Sequence, residues 1–125
     1  MKQISTSNAP AAIGPYSQAL RAGNMVFVSG QIPVDPKTGV MPEGIEAQAV
    51  QALTNLKNVV EAAGLSMKNV IKTVVFLSDL KDFPTVNGIY ETFFEAPYPA
   101  RSCVQVAGIP KGAGLEIECI AVDEQ

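Results

Sequence analysis

The chain has 125 residues, 47% of them hydrophobic and 17% charged, with a formal net charge of −3 and no histidine. That length suits one domain spanning residues 1–125, able to bury about two-thirds of its extended surface. The scattered basic residues offer no stripe for nucleic acid, no stretch reaches the ~20 apolar residues of a membrane span, and His-based triads and most zinc sites are excluded.

The opening "MKQISTSNAP" lacks the apolar core of a signal peptide. Cys103 and Cys119 lie in strand-like runs without metal-ligand spacing and read as reduced thiols, so the expected compartment is the cytoplasm. Residues 1–15 are irregular, with turn chemistry in "APAAIGP" and one short strand near Ile4. Two strands are predicted over 16–23 and 24–31, around a tight Gly23–Asn24 turn. A loop rich in proline and glycine covers 32–44.

Glu46 to Ala63 is the clearest helix, with Ala49, Leu53, Leu56, Val60 and Ala63 at three- and four-residue steps and Gly64 as its C-terminal cap. A strand follows over 70–78. A second helix is predicted over 82–96, with Asp82 at its N-cap and Pro84 in its first turn. Gly88 weakens it by about 1 kcal/mol relative to alanine. The stretch after Pro99 alternates as a strand, and the connection "AGIPKGAG" leads to a last strand over 115–122. That connection exceeds the usual hairpin length, which leaves room for the last strand to insert elsewhere in the sheet.

The order β-β-α-β-α-β-β predicts a layered sheet with two helices on one face. The strands, however, are apolar on both sides. In 70–78, Val70, Val74 and Phe76 fall on one face and Ile71, Val75 and Leu77 on the other. In 115–122, Leu115, Ile117, Cys119 and Ala121 oppose Ile120 and Val122. Two helices cover only one face, and leaving the other wet would forfeit ~25 cal/mol per Å² of apolar surface. A homo-oligomer is therefore expected.

Arg101 is one of only two arginines. It stands at the start of an apolar strand, on the face of Cys103 and Gln105. A guanidinium covered there must meet a carboxylate or a ligand anion, and its planar fork favours a bidentate carboxylate. Glu116 and Glu118 share a face of the last strand. They are either a solvated strip or the source of one general base in a cleft. Tyr16 and Ser29 come from separate strands, where such residues are more often structural. Cys103 has no histidine to activate it and reads as a small buried hydrophobe. "GAG" at 112–114 opens no helix and is no phosphate loop.

The stretches "APAAIGPYSQA", "VFVSGQIP", "NLKNVVEAAG", "VFLSDLKDFPTVNGIYETFF" and "YPARSCVQVAGIPKGAGLEIECIAV" resemble the Rid family, also called YjgF, the reactive intermediate deaminases. The resemblance covers essentially the whole chain. Its most specific elements are "GPYSQ", "SGQ", and "PAR" followed by "EIE", and it points to the archetypal deaminase subgroup. It implies an α+β, chorismate-mutase-like fold, a mixed β-sheet with two helices packed on one face, and a homotrimer with clefts between subunits. It implies hydrolysis of reactive 2-enamines and 2-imines, such as 2-aminoacrylate, to 2-keto acids and ammonia without a cofactor.

The family roles fall as follows. Arg101 would clamp the substrate carboxylate and Glu116 would position a water. The backbone at Cys103 and near Gly30 and Gln31 would orient the substrate. Tyr16 and Ser29 would line the cleft, with Asn87 supporting it. The expected partners are a small carboxylate substrate and the chain itself, with no nucleic acid and no membrane. The glycine-rich "AGIPKGAG" departs from the family's usual connection and bears on the rim of the cleft. Competing readings are a 2-keto acid-binding regulatory trimer, a ribonuclease or translation inhibitor, and a chorismate mutase. The acidic balance and missing histidine oppose the second. A dianionic substrate would ask for more cations than Arg101 supplies, which opposes the third.

Overall fold

The computed structural model describes residues 1–124. A six-stranded sheet runs in the order β1-β2-β3-β6-β4-β5. Its strands are β1 (Lys2–Ile4), β2 (Ala19–Ala22), β3 (Met25–Gln31), β4 (Val70–Leu77), β5 (Ala100–Gln105) and β6 (Leu115–Val122). The helices are α1 (Ile45–Ala62), between β3 and β4, and α2 (Phe83–Glu91), between β4 and β5. The short strand near Ile4 is present, pairing Ile4 with Ala19. Residues 16–18, expected in a strand, precede β2 as irregular chain.

β6 lies antiparallel to both β3 and β4, so those two strands run parallel with a vacant lane between them. Parallel strands need a crossover, and α1 supplies it. The long connection after β5 lets the last strand enter that lane. β5 lies parallel to β4 at the sheet edge, with α2 as its crossover.

Both helices pack on the same face. Leu53, Leu56, Val59 and Val60 of α1 meet Val26, Val28, Val75, Leu77, Leu115 and Ile117 of the sheet, all fully or nearly fully buried. α1 ends in a Schellman motif: Gly64, at φ 82°, donates to the Glu61 carbonyl, and Leu65 to that of Val60.

α2 departs from expectation at both ends. Asp82 makes no side-chain cap bond; the Asp79 carboxylate instead accepts from the Lys81 amide and caps a 3-10 turn that runs into the helix. The helix stops at Glu91, not at residue 96. The Thr92 hydroxyl bonds the Ile89 carbonyl at 2.6 Å, and Phe94 turns in to pack its ring 4.6 Å from that of Tyr90.

β4 also differs. A register shift between Val70 and Lys72 pushes Ile71 out as a bulge. Val70 therefore shares the helix-covered face with Thr73, Val75 and Leu77, all buried, and not the face of Val74 and Phe76. On the uncovered side Phe27 is 45% and Val104 44% exposed, with Leu20 also in the open.

Three amides tie the loops down. Asn55, fully buried, donates to the Ile32 and Val34 carbonyls at 3.0 and 2.9 Å. Gln18 accepts from the Thr6 amide and donates to the Pro10 carbonyl, both at 2.7 Å. Gln48 accepts from the Gly114 amide and donates to the Pro42 carbonyl. Replacing Asn55 by leucine leaves two loop carbonyls unpaired. Stability should fall by roughly 1–3 kcal/mol, read as a lower urea midpoint at unchanged m-value.

Candidate active site

The residues singled out in the sequence gather in two places. The first is the sheet edge where β5 meets α2. Arg101 stands opposite Thr73 of β4, on the helix side. Its Nη1 donates to Oδ1 of Asn87 at 2.8 Å, and its guanidinium carbon lies 4.8 Å from the centre of the Tyr90 ring and 5.4 Å from that of Phe83. A cleft of about 380 Å³ opens beside it, lined by Asn87, Tyr90, Glu91, Tyr98, Pro99 and Arg101.

The expectation that Arg101 is covered is not met within one chain. β5 is an edge strand, α2 flanks it on one side only, and the guanidinium is exposed. It is nonetheless held. No carboxylate of the described residues pairs with it. The other arginine, Arg21, is committed to Asp123 at 3.2 Å and to the Ala63 carbonyl at 3.1 Å. Cys103 sits two residues along the same face, half-buried. Burial raises its thiol pKa, with Arg101 opposing more weakly. A protonated thiol is a poor nucleophile, which agrees with its reading as a small hydrophobe.

The second place is the far end of β3. Its pairing with β6 shifts register between Val28 and Gln31, an irregularity at Ser29–Gly30 of the kind found beside active sites. The Glu116 carboxylate lies over Gly30, so close that a Cβ there would fall inside it. Only glycine admits this approach. Ser29 donates its hydroxyl to the Ser17 carbonyl at 2.6 Å. Tyr16 is 53% exposed and lines a cavity of about 570 Å³ together with Gly30, Gln31, Ile32 and Lys111.

The two acids of β6 differ in their surroundings. Glu118 is exposed; Glu116 is half-buried. Burial first, and the Glu118 charge second, raise the Glu116 carboxyl above its ordinary pKa. A carboxylate so tuned accepts a proton more readily than a free one.

One chain does not join the two places. Leu115 and Ile117 bury against the helices, so Glu116 points to the uncovered face, while Arg101 is on the helix side. β6 and β5 are also two lanes apart, with β4 between them. At ~4.8 Å per lane plus the thickness of the sheet, a molecule of a few carbon atoms cannot touch both. Sequence reasoning missed Phe83 and Tyr90 as neighbours of Arg101. The signal was there: with Asn87 they fall at i, i+4 and i+7 of one helical stripe.

The architecture defines a class: a single α+β domain with a mixed sheet, two helices on one face, and polar side chains gathered at a strand edge and a β-bulge. The family model described as Endoribonuclease L-PSP matches residues 6–123, and the chain belongs to that family, the YjgF/Rid family. A curated relative from Salmonella typhimurium strain LT2, named 2-iminobutanoate/2-iminopropanoate deaminase, is 59% identical over 124 residues, 97% of each chain. The crystal structure of E. coli TdcF with bound serine superposes with a TM-score of 0.96 at 54% identity, covering 99% of this chain and 100% of that one. The yjgF gene product of E. coli also superposes at 0.96, with 56% identity and 99% and 100% coverage.

The electrostatic assignment is open to titration. In a carbon-detected NMR titration the Glu116 carboxyl should titrate above the ordinary glutamate range. Glu118→Gln should lower its midpoint by removing the neighbouring negative charge, without returning it fully to the ordinary value, because burial is the larger cause.

Proposed function

We propose that the chain hydrolyses reactive 2-enamines and 2-imines to 2-keto acids and ammonia, at clefts shared between copies of a homotrimer. The observation that carries this reading is a guanidinium held by Asn87 and two rings, with no carboxylate of the described residues paired to it. Such a fork is a receptor for a small carboxylate. The name of the Salmonella typhimurium relative supports the reaction.

The chemistry needs few parts. The imine carbon is electrophilic, and more so when protonated. Water adds to it while Glu116 accepts a proton from that water. Glu116 returns that proton to the nitrogen of the carbinolamine; the C–N bond then breaks as the hydroxyl gives up its own proton to Glu116, ammonia leaves, and the oxygen of the water becomes the keto oxygen. Fixing the substrate and one water supplies several kcal/mol through proximity. Arg101 takes the carboxylate; backbone groups at Cys103, Gly30 and Gln31 orient the rest; Tyr16 and Ser29 line the wall. No cofactor enters this sequence of steps.

The geometry of one chain supports sharing between copies, since Arg101 and Glu116 lie on opposite sides of the sheet. The exposed Leu20, Phe27 and Val104 also favour burial against a second copy. The reduced thiols fit a cytoplasmic protein, and among the described residues no helix is long and apolar enough to cross a membrane. The family's description names an endoribonuclease. The net charge of −3 and the lack of histidine oppose that reading here.

The direct test generates 2-aminoacrylate with a serine dehydratase and traps it with semicarbazide. Added protein should suppress the adduct. No suppression at micromolar protein would leave a metabolite-binding regulatory trimer. Arg101→Ala and Arg101→Lys should both abolish turnover, since a point charge cannot reproduce the fork. Activity requires ionised Glu116, so the rate should fall as pH drops through its raised pKa, and Glu116→Gln should remove that limb.

A mixing experiment tests the shared cleft. Arg101→Ala should be inactive alone, and Glu116→Gln should keep only a small residual rate. If one cleft takes its arginine and its glutamate from different copies, co-refolding the two variants in equal amounts should restore about one quarter of wild-type activity. A cleft built within one copy would restore none.

A further inference from the structure

We propose that Tyr90 is a positioning residue for carboxylate recognition: pinned by its buried hydrogen bond to Thr73, its ring forms with Phe83 and Asn87 a three-sided seat that presents the Arg101 guanidinium to the substrate. This rests on the reading of Arg101 as the carboxylate receptor and adds what holds the receptor in place. Phe83, Asn87 and Tyr90 occupy one stripe of α2 and all address Arg101, two through ring faces at 5.4 and 4.8 Å and one through a hydrogen bond of 2.8 Å.

The seat is itself fixed from below. The Tyr90 hydroxyl and Thr73 Oγ1 are 2.8 Å apart, and both residues are buried, at 5% and 0% exposure. Thr73 is the cross-strand neighbour of Arg101 in the β4–β5 register. The chain of contacts therefore closes on itself: Arg101 to Tyr90, Tyr90 to Thr73, and Thr73 back to Arg101 through the sheet. Phe94 packs its ring 4.6 Å from that of Tyr90.

An exposed arginine samples many rotamers, and each must be given up on binding. Here aromatic faces and one amide restrict the fork before the ligand arrives. Asn87 engages Nη1, and the cleft beside Tyr98 and Pro99 adjoins the guanidinium. A buried tyrosine that served only packing would have no reason to influence how well a carboxylate is told from its neutral analogue.

That difference is the test. Tyr90→Leu, Tyr90→Phe and Thr73→Val are made in the full chain. Each is assayed for hydrolysis of 2-iminopropanoate generated in situ, and for binding of pyruvate and of pyruvamide by calorimetry. Tyr90→Leu should raise KM about tenfold with kcat changed less than about threefold. Its preference for pyruvate over pyruvamide should fall by the same factor as KM rises. Tyr90→Phe and Thr73→Val, which keep the ring or its space but lose the pin, should shift both quantities about threefold; they carry the test should Tyr90→Leu fail to fold. Folded variants with wild-type KM and wild-type preference overturn the inference, as does equal weakening of both ligands. If Arg101→Ala abolishes the preference while the Tyr90 and Thr73 variants keep it, this inference alone falls. If Arg101→Ala also keeps the preference, the carboxylate-receptor reading falls with it.

Discussion

A strand's side chains alternate, and two helices can cover only one face of a six-stranded sheet. The position of β6 turns that constraint into a site. Entering the lane between β3 and β4, it buries Leu115, Ile117, Cys119 and Ala121 against the helices and so commits Glu116 and Glu118 to the other face. The same insertion sets Glu116 beside the Ser29–Gly30 irregularity of β3, where glycine lets the carboxylate come close to the backbone. β5 is left at the edge, beyond the main body of α1. Arg101 points to the helix side there and finds only α2 beside it. One cation and one carboxylate are thus placed by a single topological decision, on opposite sides of the sheet.

The two groups are prepared differently. What the fold must supply to Arg101 is direction, and Phe83, Asn87 and Tyr90 supply it. On the proposed reading Glu116 must change its protonation state to act, so what the fold must supply is a suitable pKa. Half-burial and Glu118 move it upward. Cys119 shows what fuller burial does: its thiol is pushed up to about 12, out of reach of neutral chemistry. Glu116, less deeply covered, stays able to titrate. A second copy laid on the uncovered face would dry it further and raise its basicity again.

Much of this was legible in the sequence where a period carried it. The strict alternation of β6 gave the correct faces, and the three- and four-residue steps of α1 gave the helix within one residue at each end. Periodicity failed where the backbone broke it. The bulge at Ile71 moved Val70 to the face of Val75, and no pattern of apolar residues could reveal it. Asp82 looked like a cap because it preceded the apolar stripe, but a 3-10 turn shifted the capping role to Asp79. The amides Asn55, Gln18 and Gln48 left no trace, since a polar residue in a helix or before a strand is ordinary until the loop it ties is seen. Arg101 was conspicuous as a cation in an apolar strand. Glu116 was not, because Glu118 has the same face and charge; burial and the glycine beneath Glu116 separate them, and both arise from tertiary approach.

The protonated form of a 2-imino acid carries a negative end and a positive end a few ångströms apart. On the proposed reading those ends match a cation and a carboxylate contributed by different copies. The substrate would then be a bridge across the interface, bound by the assembled form and by no single chain. Anything that binds only the assembled form stabilises it by mass action. Assembly and occupancy become one equilibrium, in which the apolar contacts of Phe27, Leu20 and Val104 provide the standing attraction and the ligand adds to it. The exposure of Arg101 in a lone chain is then no defect. It is the open half of a site that exists only when a second copy supplies the base.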